Sequence, residues 1–267
     1  MKPNIKTKET ITWCPGCPNF MILESVKQSI SNLIQKGTKQ TSFAITTDIG
    51  CHAKIFDYLN LSGIYCLHGR ALPTAIGMKL GNPNLKVLTF VGDGALYSEG
   101  LGHFPHALRY NANMTLIVHD NQSFSLTTGQ STPTSQQGFK TKVKPMGEEN
   151  TPFNPLAIAM ASNATFIARC NARDIKHTAE ILVKAISHKG LSYVEIIQDC
   201  LIFNTEANGK DKRIYKVEDN KDKKIAQKLI EEYNYNTKEG KIPLGIIFQQ
   251  RLPTLEEKCP ELKKKLK

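Results

Sequence analysis

Two sets of polar residues in this chain have the types and spacing of ligand-binding sites. The segment WCPGCPNF places Cys14 and Cys17 in a CxxC arrangement among prolines and a glycine. Thiols at this spacing act as a redox dithiol, as half of a metal site or as the flanks of a tight turn, and the motif alone does not choose among these. Further along, VGDGALYSEG carries Asp93 between two glycines, and Asn121 follows a later apolar run.

The glycine-rich segment suits the binding of a diphosphate. Gly92 and Gly94 let a ligand come close to the backbone, and the amides at a helix N-terminus attract phosphate. Asp93 supplies a hard oxygen for Mg²⁺, Asn121 adds a second oxygen without more negative charge, and a carbonyl near Ser123 completes the protein's share. GDG is also a common turn tripeptide, and the spacing alone does not name a cofactor.

Strands and helices must bring these residues together. KVLTFV (86–91) and MTLIVH (114–119) are apolar strands that stop at Gly92 and Asp120, and residues 97–110 between them indicate a helix that Pro105 kinks or delays. A strand, helix, strand crossover of this length is right-handed and leaves both strands parallel. Asp93 and Asn121 therefore converge on one edge of the sheet.

The remaining pattern predicts more of the same alternation. We expect two amphipathic helices, at 20–36 and 175–189, and a short strand, a His-Gly-Arg turn and a helix closed at Gly81. A buried strand runs from Ser42 into a loop that holds Cys51, and further strands are expected at 164–170 and at 192–200, the last ending in Cys200. The fold class is α/β, with a mostly parallel sheet and helices on both faces. We divide the chain into a domain at 1–205 and, at 206–267, a charged exposed excursion followed by a C-terminal arm.

Composition narrows the classes of function. A chain of 267 residues with 40% hydrophobic content buries a large core, has no apolar run near membrane-spanning length, and lacks a signal peptide's apolar core, so a cytoplasmic protein is expected. Seven cysteines suit reduced thiols or metal ligands. The net charge of +11 raises nucleic acid as a partner, but the excess lies late in the chain with few aromatic residues, which favours a solvated basic face.

Several blocks in the same order resemble one family. GDG followed by Asn121 resembles the thiamine-diphosphate motif, and HGRALPTAIGMKL and DNQSFSLTTGQSTPTS resemble the β subunit of 2-oxoacid:ferredoxin oxidoreductases, as do WCPGCPNF, TTDIGC and EIIQDCLIFN. The resemblance runs from about Thr10 to Asn204, and the segment KIPLGIIFQQ resembles the family more weakly. It implies a thiamine-diphosphate-binding fold with an N-terminal cluster-binding segment, and it implies thiamine diphosphate, Mg²⁺ and a 4Fe-4S cluster as cofactors.

The resemblance also assigns residues to roles. It implies that the cluster is held by Cys14, Cys17, Cys51 and Cys200, and Mg²⁺ by Asp93, Asn121 and Ser123. The residues implied to contact the cofactor are Cys51, His52, His68, Gly92, Asp93, Gly94, Asn121, Ser123, Ser125, Leu126 and Thr127. Catalytic roles fall to His68 near the diphosphate and to Arg70 at the substrate carboxylate.

The implied activity is thiamine-dependent oxidative decarboxylation of a small 2-oxoacid, with coenzyme A as co-substrate and ferredoxin as electron acceptor. An α subunit is expected to supply the carboxylate that faces the aminopyrimidine ring; no nucleic acid and no membrane are expected as partners. Two departures from the family stand out, since Pro18 has no amide to donate to the cluster and Ala95 leaves Asp93 as the only carboxylate of its loop. The alternatives are a thioredoxin-like dithiol, a non-redox thiamine-dependent lyase or transferase with a structural zinc site, and a nonenzymatic redox or nucleic-acid-binding module.

Overall fold

An eight-stranded sheet forms the centre of the molecule. The structure, a computed structural model, describes residues 3–207, 211–236 and 239–264. The strands, in chain order, are β1 (Phe43–Thr47), β2 (Ser62–Tyr65), β3 (Lys86–Gly92), β4 (Thr115–Asp120), β5 (Phe166–Asn171), β6 (Ser192–Ile197), β7 (Ile214–Lys216) and β8 (Ile242–Gln249). They lie in the order β2-β1-β3-β4-β6-β5-β8-β7. Every neighbouring pair is parallel except β5 and β8, which are antiparallel.

Helices connect the strands. In chain order they are α1 (Asn19–Gln35), α2 (Ile55–Tyr58), α3 (Ala71–Gly81), α4 (Asp93–Tyr97), α5 (Phe104–Tyr110), α6 (Pro155–Ala161), α7 (Ile175–Ser187), α8 (Lys223–Glu232), α9 (Leu255–Lys258) and α10 (Glu261–Lys264). No helix in the described ranges is both long enough and apolar enough to cross a bilayer.

Two apolar cores explain why the inner strands are buried on both faces, whereas every residue of the edge strand β2 is exposed. Along β3, Leu88 and Phe90 join the core that contains the apolar stripe of α1 and α7, whereas Val87 and Val91 join the core beneath α3, α5 and α8. Side chains of a strand alternate between faces, so one apolar run serves both cores. The result is the predicted mostly parallel sheet with helices on both faces.

The chain reverses its direction of growth along the sheet between β1 and β3. From β1 it adds β2 on one side, then returns to add β3 and β4 on the other. Helices cannot cover the carboxyl ends of two strands whose connections leave in opposite directions, so a crevice opens there, and ligands of open α/β sheets bind in such crevices.

The structure corrects several details of the predicted elements. The helix expected at 97–110 is broken: α4 ends at Tyr97 and α5 begins at Phe104, which confirms the late start at Pro105 because proline fits only the first turn. The strand expected to end in Cys200 ends at Ile197, and Cys200 lies in the following loop, bridged to Asn204.

The charged segment after residue 205 is predicted to be an exposed excursion, and within it Ile214–Lys216 form β7, an edge strand that stays partly exposed. The strand of the C-terminal arm, β8, is buried between β5 and β7. The division at residue 205 stays a prediction, although segments on both sides of it contribute strands to one sheet. Residues 208–210 of the excursion lie outside the described residues.

Candidate active site

A cavity lies at the carboxyl ends of β1, β3 and β4, in the crevice between β1 and β3; it is called the Asp93 cavity below. All eleven residues that the sequence predicts for cofactor contact line it. The local cause is the one expected from the sequence. Each apolar strand ends at the same edge of the sheet, and a polar loop follows it. Arg70 does not line this cavity; its side chain is exposed and donates to the Glu99 carbonyl at 2.7 Å.

Asp93 begins α4 and its side chain is buried. Burial raises the pKa of its carboxyl to about 6, although hydrogen bonds from Thr132 and Thr134 and the Gly94 amide oppose that shift. Among the effects that favour the ionised form, the charge of His52 is the smallest, so little positive charge opposes the effect of burial. A divalent cation beside it would supply that charge, so the site fits Mg²⁺.

A second buried carboxylate, Asp120, lies beside the first and was missed by the sequence reasoning. The Thr134 hydroxyl is 2.9 Å from an Asp93 oxygen and 3.2 Å from an Asp120 oxygen, and one proton can serve only one of them at a time. Burial, together with the charges of Asp93 and Glu195, raises the pKa of Asp120 well above its usual range. Its other oxygen, Oδ2, has no hydrogen-bond partner among the described residues.

Asn121 and Ser123 also line the Asp93 cavity. The Asn121 side-chain oxygen accepts from the Ser123 amide at 3.0 Å, which folds the loop after β4 into a tight Asx turn. The Ser123 hydroxyl is buried and has no partner within the part of the chain that the structure describes. An unpaired hydroxyl and an amide oxygen beside Asp93 are the oxygen donors that a hard cation requires.

His52 lies below the glycine loop, although its sequence context did not distinguish burial from exposure. Its Nε2 is 2.5 Å from Asp48, and both residues are buried. A Cβ at Gly92 would come within 2.9 Å of the His52 ring, so glycine is needed there to admit the histidine. A Cβ at Gly94 would come within 2.3 Å of the Phe124 ring. The chain's own side chains thus occupy the space that these glycines provide.

His68 lies at the rim of the Asp93 cavity. Its Nδ1 is 3.0 Å from the Glu99 carboxylate, and both side chains are partly solvent-exposed. An exposed pair of this kind holds a side chain only weakly. His68 can therefore turn toward a ligand in the cavity.

A second cavity, called the cysteine cavity below, is lined by Cys14, Cys17, Cys51 and Cys200. Burial, together with the smaller effects of Cys51, Cys14 and Cys200, raises the pKa of Cys17 to about 11, although the backbone amide of Asn19 opposes that shift. Four thiols from three distant parts of the chain therefore lie close enough to repel one another as thiolates. When such thiols are deprotonated, a cationic centre stabilises them, and iron ions supply one.

The CxxC segment is a tight turn as well as a source of two ligands. The Cys17 amide donates to the Cys14 carbonyl at 3.0 Å, and Gly16 has φ +79°, as a type II turn with Pro15 at its second position requires. Pro18 cannot donate to a sulfur, but the next amide, that of Asn19, donates to Cys17. The Phe203 amide donates to the Cys200 sulfur at 3.4 Å.

Trp13 attaches the N-terminal segment to the loop that carries Cys51. Its indole N–H donates to the Cys51 carbonyl at 2.6 Å, and its ring packs edge-on against Phe20 and Tyr58. The Tyr58 hydroxyl also accepts from the Thr12 amide at 2.9 Å. The cysteine turn is therefore held in place by protein contacts alone.

The two cavities share a wall. Cys51, Asn121, Ser125, Leu126 and Gln198 line both of them. Gln198, which follows β6, was not predicted as a site residue. It is buried, and its side-chain oxygen has no partner in the described ranges.

No group of three or more His, Cys, Asp or Glu side chains in the described ranges is close enough to hold one metal ion.

Comparison with known proteins gives the class first. Residues 48–196 match the family model described as thiamine pyrophosphate enzyme, C-terminal TPP binding domain, which covers more than half of the chain. The chain therefore belongs to the family of thiamine pyrophosphate enzymes that share this TPP-binding domain.

Relatives and a solved structure give the family. The chain is 39% identical to the 2-oxoacid:ferredoxin oxidoreductase subunit beta of Saccharolobus solfataricus, over 93% of this chain and 85% of that protein. It is 36% identical to the 2-oxoglutarate synthase subunit KorB of Archaeoglobus fulgidus, over 70% of this chain and 69% of that protein. A structure of 2-oxoglutarate:ferredoxin oxidoreductase from Magnetococcus marinus matches with TM-score 0.91 and 33% identity, over 100% of this chain and 91% of that one. This chain belongs to the β subunits of 2-oxoacid:ferredoxin oxidoreductases.

Proposed function

We propose that this chain, in complex with an α subunit, catalyses the oxidative decarboxylation of a 2-oxoacid. The 2-oxoacid and coenzyme A give an acyl-CoA and carbon dioxide, and the two electrons released pass singly through a 4Fe-4S cluster to ferredoxin. Thiamine diphosphate supplies the nucleophilic carbon and electron sink for decarboxylation, and the cluster supplies one-electron transfer. The observation that carries the proposal is the wall shared by the Asp93 cavity and the cysteine cavity.

In this proposal the Asp93 cavity binds the diphosphate and its Mg²⁺. Asp93 and the Asn121 oxygen are metal ligands, and the Ser123 region completes the protein's part of the coordination. Thr134 orients the Asp93 carboxylate through its hydroxyl, since their oxygens are 2.9 Å apart. His68 at the rim contacts the coenzyme or substrate once it leaves Glu99. Arg70 is proposed for the substrate carboxylate, for which its exposed side chain would have to reorient.

The cysteine cavity holds the cluster in this proposal. Cys14 and Cys17 come from one turn, and Cys51 and Cys200 come from loops after β1 and β6. The amides of Asn19 and Phe203 donate to two of the four sulfurs, and such bonds favour the reduced, more negative cluster. Cys51 lines both cavities, which keeps the electron path between coenzyme and cluster short.

An α subunit is part of the proposal because the described lining of the Asp93 cavity offers no second carboxylate. Among the described residues that line the Asp93 cavity, Asp93 is the only carboxylate, and it is committed to the metal. The carboxylate that faces the aminopyrimidine ring would then come from the partner. The naming of the relatives as β subunits supports this requirement.

Coenzyme A and a 2-oxoacid are proposed as substrates by analogy with a relative. The Magnetococcus enzyme was solved with 2-oxoglutarate, coenzyme A and succinyl-CoA bound. A cytoplasmic location and an acidic ferredoxin as the acceptor are proposed with them; the net charge of +11 favours an acidic partner.

The test is anaerobic co-purification of the chain with its α subunit. Iron, sulfide and thiamine diphosphate are then assayed, and 2-oxoacids are screened with coenzyme A and a viologen acceptor. The expected result is about four iron and four sulfide per β chain, the content of one cluster, with acyl-CoA formation that stops when either cofactor is removed. Zinc without sulfide, or full turnover by the isolated chain, would contradict the proposal.

A further inference from the structure

The loop that carries Cys200 ends in an asparagine, Asn204, which binds neither cofactor in the proposed function. Residues 200–204, called the Cys200 loop below, are closed by two backbone hydrogen bonds between Cys200 and Asn204, of 3.1 and 3.2 Å. Within this loop the Phe203 amide donates to the Cys200 sulfur at 3.4 Å. Backbone atoms therefore keep the loop closed whatever side chain stands at position 200.

The Asn204 side chain reaches the loop that follows β4. Its Nδ2 is 3.3 Å from the backbone carbonyl oxygen of Asn121 and 3.2 Å from that of Gln122. Carbonyl oxygens only accept, and the amide nitrogen carries two protons, so one side chain donates to both carbonyls. Asn121 is one of the proposed Mg²⁺ ligands. The Cys200 loop therefore holds a segment that carries ligands of the other cavity.

The segment that Asn204 holds has a strained backbone. Gln122 is the middle residue of the turn 121–123 and has φ +55°, in the left-handed region that residues with a Cβ rarely adopt. Such a conformation persists only where surrounding contacts fix it. The Gln122 carbonyl accepts from Asn204 and, at 2.7 Å, from the Ser135 hydroxyl, and the Gln122 amide donates to Asp120 at 3.2 Å. These contacts keep a conformation that the residue type disfavours.

Packing fixes the position from which Asn204 donates. The preceding residue, Phe203, lies against Gly129 of the loop after β4, and a Cβ at Gly129 would come within 2.7 Å of the Phe203 ring. On the other side of the Cys200 loop, a Cβ at Gly16 would lie 3.5 Å from Leu201. The Cys200 loop is therefore packed between the CxxC turn and the loop after β4.

We propose that Asn204 is a positioning residue for Mg²⁺ and the coenzyme. Its two hydrogen bonds hold Gln122 in the left-handed conformation, and that conformation presents Asn121 and Ser123 to the metal. The inference rests on the proposed function, because it assigns those two residues to Mg²⁺. The Cys200 loop then serves both sites: its sulfur holds the cluster, and its last side chain orders the turn that binds the metal.

Asn204→Ala removes both side-chain hydrogen bonds and keeps the backbone closure of the loop. The turn should then occupy its binding conformation less often, so the affinity for thiamine diphosphate with Mg²⁺ should fall roughly fivefold to tenfold, the effect of one or two hydrogen bonds. More Mg²⁺ should also be needed for half-saturation. Iron and sulfide content should stay unchanged, because all four cysteine sulfurs are retained. Cys200→Ala, at the other end of the same loop, should show the opposite pattern.

A second substitution tests whether Asn204 acts through the turn. Glycine adopts a positive φ without the cost that a Cβ imposes. Gln122→Gly added to Asn204→Ala should therefore restore the affinity to within about twofold of the unsubstituted complex, less than the effect of one hydrogen bond. Gln122→Ala removes the same side chain but keeps the Cβ, so it should restore nothing. The two double variants separate backbone strain from loss of the glutamine side chain, whose Nε2 is 3.4 Å from the Tyr233 hydroxyl.

Two further variants complete the design. Asn204→Leu fills the same space without a donor and should match Asn204→Ala, because the loss comes from the hydrogen bonds and not from a void. Asn84→Ala is the control, since Asn84 is exposed, lies before β3 and lines neither cavity. All proteins are αβ complexes purified anaerobically. Calorimetry over a series of Mg²⁺ concentrations gives the coenzyme affinity, iron and sulfide are assayed chemically, and thermal denaturation checks that each complex is folded.

The outcomes distinguish failure of this role from failure of the proposed function. Asn204 has no positioning role if the unsubstituted complex binds both cofactors and Asn204→Ala binds the coenzyme as tightly as Asn84→Ala does. The role is equally excluded if Asn204→Ala loses iron, or if Gln122→Gly and Gln122→Ala have the same effect on it. If the unsubstituted complex binds neither cofactor, the proposed function itself fails.

Discussion

The Asp93 cavity and the cysteine cavity share a wall but are built in different ways. The first lies where adjacent parallel strands end, and its side chains are held by contacts such as that of Thr134 with Asp93. The second is assembled from an N-terminal turn and two loops, joined by contacts such as that of Trp13 with Cys51. The sheet fixes the geometry of one site, while a few long-range hydrogen bonds fix that of the other, so damage to one need not damage the other.

The largest expected effect comes from a substitution that changes the cysteine cavity and leaves the Asp93 cavity untouched. Cys200 lines the cysteine cavity and does not line the Asp93 cavity. Cys200→Ala should abolish the cluster, measured as iron and sulfide content, and leave coenzyme and Mg²⁺ binding within about twofold, less than the effect of one hydrogen bond. Cys259→Ala, at the end of α9, is the control and should retain full iron. A full complement of iron in Cys200→Ala would show that the cavity is not a cluster site.

Thr134→Val tests whether damage to the Asp93 cavity leaves the cysteine cavity intact. The substitution removes the hydroxyl between Asp93 and Asp120 and keeps the shape of the side chain. Hydrogen bonds to charged groups contribute about 1.5–3 kcal/mol, so coenzyme affinity should fall at least about tenfold.

The matched control for this test is Thr151→Val, an exposed threonine outside both cavities. Calorimetry of coenzyme binding and an iron assay distinguish the outcomes. Loss of iron in Thr134→Val would mean that the two sites are less independent than their construction indicates.

Trp13→Phe should have a smaller effect, confined to the cysteine cavity. The ring packing on Tyr58 is kept, but the bond to the Cys51 carbonyl is lost, at a cost of about 1 kcal/mol. Iron release to a chelator should therefore become roughly fivefold faster. Tyr110→Phe, an exposed tyrosine on α5, should match the unsubstituted protein. An unchanged release rate would mean that the cluster alone orders the N-terminal turn.

The smallest effect concerns a histidine at the amino-terminal edge of the sheet, far from both cavities along the strands. Burial and the nearby Arg251 lower the pKa of His188 from 6.5 to about 4. A lowered pKa means that the unfolded chain binds the proton more tightly, so this residue's contribution to stability is present above pH 6.5 and is lost as pH falls toward 4.

In His188→Gln the melting temperature should therefore fall less steeply as pH decreases through this range. Solvent screening reduces the size of the difference. Thermal denaturation at several pH values checks this. His106→Gln should keep the slope of the unsubstituted protein, and an equal slope in His188→Gln would assign the acid sensitivity to other groups.

Most of the sheet and one side of the site were predictable because their signals are local. An apolar run followed by Gly92 and Asp93 predicts a strand that ends at a polar loop, and β3 confirms it. The α/β class and the family are confirmed in the same way, from blocks read in order. The assignments of individual residues to cofactors stay predictions, although the structure brings the proposed sets together around two adjoining cavities.

What the sequence did not predict depends on partners distant along the chain. Asp120 resembled a simple strand terminator, and its contact with Asp93 through Thr134 exists only in the folded sheet. The one available signal was the pair of polar residues that ends the apolar run of β4. β7 was not predicted because charged residues on both sides of it obscure the apolar pattern of a strand. The antiparallel pairing of β8 with β5 depends on hydrogen bonds between distant parts of the chain, which composition does not specify.

The late placement of β8 has a consequence for biosynthesis. β8 pairs with β5, yet α7, β6, β7 and α8 are made between them. While the chain emerges from the ribosome, β5 therefore presents an unpaired apolar border that neighbouring nascent chains can join. Translation speed through this stretch, and chaperone access to it, should govern how much of the protein escapes aggregation.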